Sequence, residues 1–238
     1  IKEYDIDTLV SDGRLGLWNK QIKTFYITHQ LMIKMPARIK FLETIVWLLH
    51  RFFIKKYHVC LIPDMFEGGG YAGDLTHLYN LPPNARFIGP LSRFSDVEAN
   101  EDFKEKYYIV AVLSGVEPQR GMLENMLIES LKEKPFKSLI IRGVLNEKNY
   151  QQDIRRNVTI LSYLDTKSLK SAIENSSLVI CRSGYSSIMD LLILNKEALL
   201  IPTPGQTEQE YLAEYLAKEK KLFQSLSQKE LKAYLSKL

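Results

Sequence analysis

The chain has 238 residues, 45% of them apolar, 25% charged and 11% aromatic, with 12 Gly and 9 Pro, a balance that excludes a collagen, a low-complexity linker and a disordered tail. A formal net charge of +4 is too small to point to nucleic acid, whose binders concentrate a strong basic excess on one face. Cys60 and Cys181 both sit in apolar, strand-like runs (HVCLI and LVICR), which excludes a secreted disulfide scaffold and makes a reducing, cytoplasmic compartment the expectation.

The first residue is Ile1, with no charged-then-apolar signal segment before it. The opening IKEYDIDTLVSD reads as the middle of a fold, a short amphipathic end and then a strand over 6–11, so the front of the protein is expected to be missing. The runs DTLVSD (7–12) and IKTFYIT (22–28) are neighbouring strands joined by a Gly-containing turn. A helical pattern runs over 36–56, with Pro36 suited to its first turn. HVCLI (58–62) is the next strand, PDMFEGGGYAGD is a loop, and ARFIGPLSRF (85–94) is a short strand ending in a Gly-Pro break. The polar stretch SDVEANED (95–102) reads as a hinge.

From there the rhythm is regular. Strands are predicted over 107–113, 138–142, 158–162, 178–182 and 198–201, and helices over 118–132, 166–175, 186–194 and 208–219. A last helix starts at Ser227, where SQKE is a capping box. Continuous apolar strands alternating with helices mean an α/β fold with a parallel sheet covered on both faces. The second half is then a Rossmann-like domain and the first half part of another. No run approaches the roughly 18 unbroken apolar residues of a membrane span.

Ligands of open parallel sheets bind beyond the carboxyl ends of the strands, where helix N-termini offer N–H groups and a positive dipole end. Three such corners are rich in glycine and hydroxyls: 113–115 (LSG), 182–187 (RSGYSS) and 202–206 (PTPGQ). Glycine lets the backbone approach a phosphate closely, hydroxyls add donors, and Arg182 and Arg93 are candidates for charge-assisted bidentate contacts. Each corner taken singly is also an ordinary chain turn. Asp190 lies six residues after Gly184, placed to accept ribose hydroxyls as acids do in dinucleotide folds, or else to stand as a solvated helix residue. No loop Asp-x-Asp pair and no His/Cys cluster has metal-ligand spacing, so neither metal nor cofactor is expected.

The run VICRSGYSSIMDLLILNKEALLIPTPGQTEQEYLAEYLA (179–217) resembles the C-terminal signature of the MurG-like glycosyltransferases, family 28 of the GT-B fold. GPLSR (89–93) is similar to that family's G-N-P-x-R segment, AVLSG (111–115) to its phosphate loop and ITHQL (27–31) to its histidine-bearing segment, all in the family's order. The resemblance implies two Rossmann-like domains facing a cleft. Residues 1–94 would be a partial acceptor-side domain, 95–105 a linker, and 106–238 the nucleotide-sugar domain, its last helix a candidate to pack back on the first. It places Arg93, Ser114, Gly115, Ser186 and Ser187 around the diphosphate of a UDP-sugar; Arg182, Ser183 and Gly184 join them as candidates from the corner at 182–187. Leu164 would meet the uracil edge through its backbone. Asp190 stands where the family has a ribose-binding Glu; Gln209 matches a Gln that reads donor-sugar hydroxyls, and Glu210 replaces a second Gln.

His29 is the candidate for taking the acceptor hydroxyl's proton, since imidazole titrates near neutrality, with a hydrogen-bonded structural His as the other reading. On the helix over 38–56, a broad face from Phe41 to Phe53 is expected to pack on the sheet. Trp47 and Ile54 fall opposite it beside Lys40 and Arg51, a set suited to a membrane surface or to contact with the missing N-terminal part. The expected activity is an inverting hexosyl transfer from a nucleotide-diphospho-sugar to a lipid-linked or saccharide acceptor at the cytoplasmic membrane face. A nucleotide-sugar hydrolase and a non-catalytic donor-binding subunit remain as alternatives.

Overall fold

Short, β-branched and apolar runs set the strands, and a computed structural model describes them over residues 4–144 and 151–238; residues 1–3 of the expected amphipathic end lie outside the described residues. Two units divide the chain, Ile1–Leu91 and Ser92–Leu238.

In the first unit, β1 (Thr8–Asp12), β2 (Lys23–Ile27), β3 (Val59–Ile62) and β4 (Ala85–Phe87) form a parallel sheet in that order. The expected helix over 36–56 divides in two. Residues Ala37–Leu42 form a 3-10 segment with a kink at Ile39, and α1 (Glu43–Ile54) follows. A further short helix, α2 (Asp74–His77), precedes β4. Strands β2 and β3 alternate between buried and partly exposed residues, the pattern of a sheet covered mainly on one face. Tyr26, Leu31, Ile54, Tyr57, Cys60 and Ile62 make its core.

The orientation of α1 corrects two expectations. At roughly 100° per residue, Ile45, Leu48, Leu49 and Phe52 share one arc and Glu43, His50 and Ile54 the opposite one. The second arc faces inward: Glu43, His50 and Ile54 are buried, whereas Ile45, Leu48, Leu49 and Phe52 are exposed. Polar anchoring explains it. A Glu43 carboxylate oxygen accepts the Met35 N–H (3.1 Å), His50 Nδ1 donates to the Leu31 carbonyl (3.2 Å), and His50 Nε2 meets the Tyr26 hydroxyl (3.4 Å). Asn84 holds the carbonyls of Ile54 and Tyr57. The apolar face therefore does not pack on the sheet. Nor can Ile54, 0% exposed, touch a membrane, while Trp47 lies stacked on Tyr79 with Arg51 over its ring.

The second unit runs β5 (Ile109–Val112), α3 (Gln119–Leu131), β6 (Ser138–Ile141), β7 (Gln151–Ile154), β8 (Val158–Leu161), α4 (Thr166–Glu174), β9 (Leu178–Cys181), α5 (Tyr185–Ile193), β10 (Ala198–Leu200), α6 (Thr207–Glu219), β11 (Phe223–Ser225) and α7 (Gln228–Lys237). Its seven strands lie in the order β11-β10-β9-β5-β6-β8-β7, all parallel except β7, which pairs antiparallel with β8. Both faces are covered, so β6 and β10 are buried throughout. Leu123, Leu127 and Leu131 of α3, four residues apart, join Leu231 and Leu235 of α7 in one core cluster with the strands. The predicted capping box at Ser227 is present. The polar stretch after Phe94 is tied to α4: the Asn100 side chain donates to Ser168 Oγ, its N–H donates to Ser171 Oγ, and Lys170 reaches the Val97 carbonyl.

The chain enters this sheet at β5, winds outward through β6 and β8, then returns to β9 and winds the other way. Winding reverses between β5 and β9, which stay paired to their last residues, Val112 and Cys181, so the chain leaves their carboxyl ends toward opposite halves of the sheet. No helix among the described residues is long and apolar enough to cross a membrane.

Candidate functional site at the reversal between β5 and β9

Two of the three expected corners flank that reversal. Ser114 and Gly115 follow β5 in an exposed loop, with Gly115 at φ +96°, a conformation that a side chain would strain, and open space where a Cβ would stand. Ser183 and Gly184 follow β9 and lead into α5, whose first turn carries Ser186 and Ser187. Asp190 is about one turn further along α5, buried, with both carboxylate oxygens engaged. It accepts the Ser92 hydroxyl (2.6 Å) and the Arg93 Nε–H (2.9 Å). This pairing links residues 97 apart in sequence and leaves the Arg93 side chain half exposed, its guanidinium also over the Phe94 ring. Arg93, Ser187 and Asp190 line one small cavity with Val112 and Cys181. Burial pushes the Cys181 thiol up to about 12, so it stays protonated and is no nucleophile.

The helix starts of this unit differ in what already occupies them. Asp165 caps α4, its carboxylate accepting the N–H groups of Lys167 and Ser168, and hydrogen bonds from Ser168 hold its pKa below the usual range. Ser227 caps α7. Near the start of α3, a Glu117 carboxylate oxygen accepts the Gly121 N–H (3.0 Å) and Glu117 pairs with Arg120. The start of α6 follows a loop held by its own first turn: Gln209 accepts the Thr203 N–H and Glu210 the Gly205 N–H, both at 2.9 Å. At α5 the cap position is Gly184, no side chain caps it, and a Cβ at Gly184 would meet open space. A helix start left in this state presents first-turn N–H groups and a positive dipole end to an anion.

Two residues named from the sequence are turned inward. Arg182 is 1% exposed and spends its guanidinium on backbone carbonyls, Nη1 donating to Ile201 and Pro202 (both 3.2 Å) and Nη2 to Gln119 (2.7 Å). It ties the ends of β9 and β10 to α3 from inside the unit. Ser183 is 0% exposed and donates to the Gln209 carbonyl (2.8 Å). Gln209 itself braces the third corner, its amide donating to Gln206 Oε1 (2.6 Å). Leu164 is half-buried in the connection between β8 and α4. His29 belongs to the first unit, half-buried just beyond β2.

Sequence reading missed Ser92, which shares the Asp190 carboxylate with Arg93. It also missed Glu124, which joins Arg120 and Arg142 beside the first corner at 3.0 Å each. Ser92 adjoins Arg93 in the quoted GPLSR motif, a signal within reach; the Glu124 network bridges separate elements and has no local mark.

A model of the glycosyltransferase family 28 C-terminal domain matches residues 119–238. Among curated proteins, none matches the sequence. Solved structures share the fold at low identity. The glycotransferase of kitacinnamycin is 14% identical with a TM-score of 0.60, covering 100% of this chain and 69% of that one. MurG of Acinetobacter baumannii is 14% identical with a TM-score of 0.55, covering 99% and 65%. The spinosyn rhamnosyltransferase SpnG, solved with thymidine diphosphate, is 11% identical with a TM-score of 0.56, covering 99% of this chain and 64% of that one. The chain thus spans about two thirds of the length of these structures, all of the GT-B type.

Proposed function

This chain belongs to glycosyltransferase family 28, and from that premise we propose that it moves a hexosyl group from a nucleotide-diphospho-sugar, first of all a UDP-sugar, to a lipid-linked or surface-polysaccharide precursor. One observation carries the donor side of this reading: the start of α5, capped by no side chain, lies beside an arginine that Asp190 holds in place. The diphosphate would sit against the first turn of α5, with Ser186, Ser187 and the Ser114–Gly115 loop as donors. Arg93 and the dipole of α5 would stabilise the charge that develops as the diphosphate leaves. Asp190 would act chiefly by orienting Arg93, with lone pairs left for a ribose hydroxyl. Leu164 remains our candidate for the base edge and Gln209 for the sugar, and the buried Arg182 and Ser183 would support the corner from behind.

For the acceptor, His29 is our candidate to take the hydroxyl proton, and direct attack on the donor would invert the sugar carbon. We place the reaction at the cytoplasmic face of the membrane, with no metal assigned to it.

Titration calorimetry of the full chain with UDP and with thymidine diphosphate tests the donor side; the second nucleotide is included because SpnG was solved with it. Arg93→Ala should lower the affinity by about ten-fold or more, the weight of a charge-assisted contact. Asp190→Asn should lower it several-fold. Unchanged affinity in both variants would remove α5 from the site. Nucleotide release from a donor sugar without acceptor would point instead to a hydrolase, and binding without turnover to a donor-binding subunit.

A further inference from the structure

The outward face of α1 takes no part in the donor site. Phe41, Ile45, Leu48, Leu49 and Phe52 are 74, 53, 53, 56 and 58% exposed, and all lie along one side of the helix and the 3-10 segment before it. An apolar stripe of that size on a helix whose opposite side is anchored by buried polar groups is an interaction surface rather than an accident of packing. What it fits follows from the charge of the segment that carries it. Between residues 13 and 63 the only acid is Glu43, against nine Lys and Arg, while the rest of the chain carries 23 Lys and Arg against 27 acids. Glu43 is buried and engaged with the Met35 N–H. The exposed Arg38 and Lys40 precede the stripe, and Lys55 and Lys56 end it. The Lys56 ammonium lies over the rings of Phe52 and Phe53, at 4.7 and 5.1 Å from their centroids.

We propose that this face of α1 lies on an anionic lipid surface, with Ile45, Leu48, Leu49 and Phe52 entering the acyl boundary and Arg38, Lys40, Lys55 and Lys56 meeting phosphates. Cations flanking an apolar arc are stranded against an apolar protein partner, but they are matched by lipid headgroups. The lysine and arginine stems extend the apolar contact while their charged ends stay at the interface. This assigns the lipid contact to the side of the helix opposite Ile54, and it does not depend on the sugar-transfer reading.

Co-sedimentation of the full chain with vesicles tests it, using phosphatidylcholine alone and a mixture with about one third phosphatidylglycerol. The chain should pellet with the mixed vesicles far more than with phosphatidylcholine, and rising salt should weaken the difference. Leu48→Gln with Phe52→Gln should lower the affinity more than about ten-fold. Lys55→Gln with Lys56→Gln should lower it by about thirty-fold on mixed vesicles and hardly at all on phosphatidylcholine. Circular dichroism checks that both variants are folded; all four positions are at the surface or nearly so. No pelleting with mixed vesicles, or pelleting that both folded variants retain, overturns the proposal. So does self-association that Leu48→Gln with Phe52→Gln abolishes without vesicle binding, which would give the face to a second copy. A chain that pellets yet binds no nucleotide would keep this proposal and remove the donor-site reading.

Discussion

Helices α1 and α3 are both long enough to carry a core face, yet they use it in opposite ways. In α3, Leu123, Leu127 and Leu131 are wholly buried, while Asn125 and Glu129 are exposed. In α1 the buried positions include Glu43 and His50, and the leucines face solvent. The sheets follow suit: β6 and β10 of the second unit are buried throughout, while β2 and β3 of the first alternate. A helix on the second unit therefore holds the fold together, whereas α1 is anchored by hydrogen bonds and keeps its apolar side for a surface outside the unit. Equal hydrophobicity does not mean equal contribution to stability; what counts is the area removed from water.

The sharpest way to break this contrast is to truncate a leucine on each side of it. Leu199, at the centre of β10, is 0% exposed and lies in the large core cluster of the second unit. Leu199→Ala should cost about 3 kcal/mol, the lost transfer energy of the side chain plus that of the cavity left between sheet and helices. Urea denaturation would show this as a lower midpoint with little change in slope. A cost under about 1 kcal/mol would mean the second unit is packed no better than the first.

How far such differences could be read beforehand depended on whether they are local. The core strands of the second unit were legible because a strand buried on both faces is an apolar run, as in SLII and LVIC. The start of α7 was legible because a capping box needs only Ser227 and Glu230. Strand β7, sequence QQDI, was not: it sits at an edge, exposed on most of its length, and its pairing with β8 leaves no apolar pattern. Periodicity identified both faces of α1 but could not say which turns inward, since that was decided by partners in other segments, Met35, Leu31 and Tyr26. The site divides in the same way. Its glycine and serine corners are short-range signals, whereas the inward turn of Arg182 depends on carbonyls at Gln119, Ile201 and Pro202.

A medium-sized effect comes from the polar anchoring of α1 itself. Burial pushes the His50 pKa below its usual 6.5, against the smaller opposing pull of its bond to Leu31. The unfolded chain then binds a proton below about pH 6.5 that the folded chain resists. The stability contributed by neutral His50 is complete above that pH and is lost as pH falls toward the lowered value. The loss can be no steeper than about 1.4 kcal/mol per pH unit, one proton's worth. His50→Gln, which keeps a donor for the Leu31 carbonyl, should flatten the profile between pH 7 and 5 as read by thermal melts. A slope unchanged by the substitution would place the titrating group elsewhere.

The smallest expected effect bears most directly on what α1 is for. Leu48 is 53% exposed, so Leu48→Ala in lipid-free buffer removes few contacts and trades one good helix former for another. Its midpoint in urea should stay within about 0.5 kcal/mol of the parent chain, against the several-fold larger loss at Leu199. The same truncation should weaken binding to anionic vesicles, because there the side chain is what leaves water. A loss of more than about 2 kcal/mol in buffer would instead show that Leu48 is already buried in solution, and the outward face of α1 would then be covered before any lipid reached it.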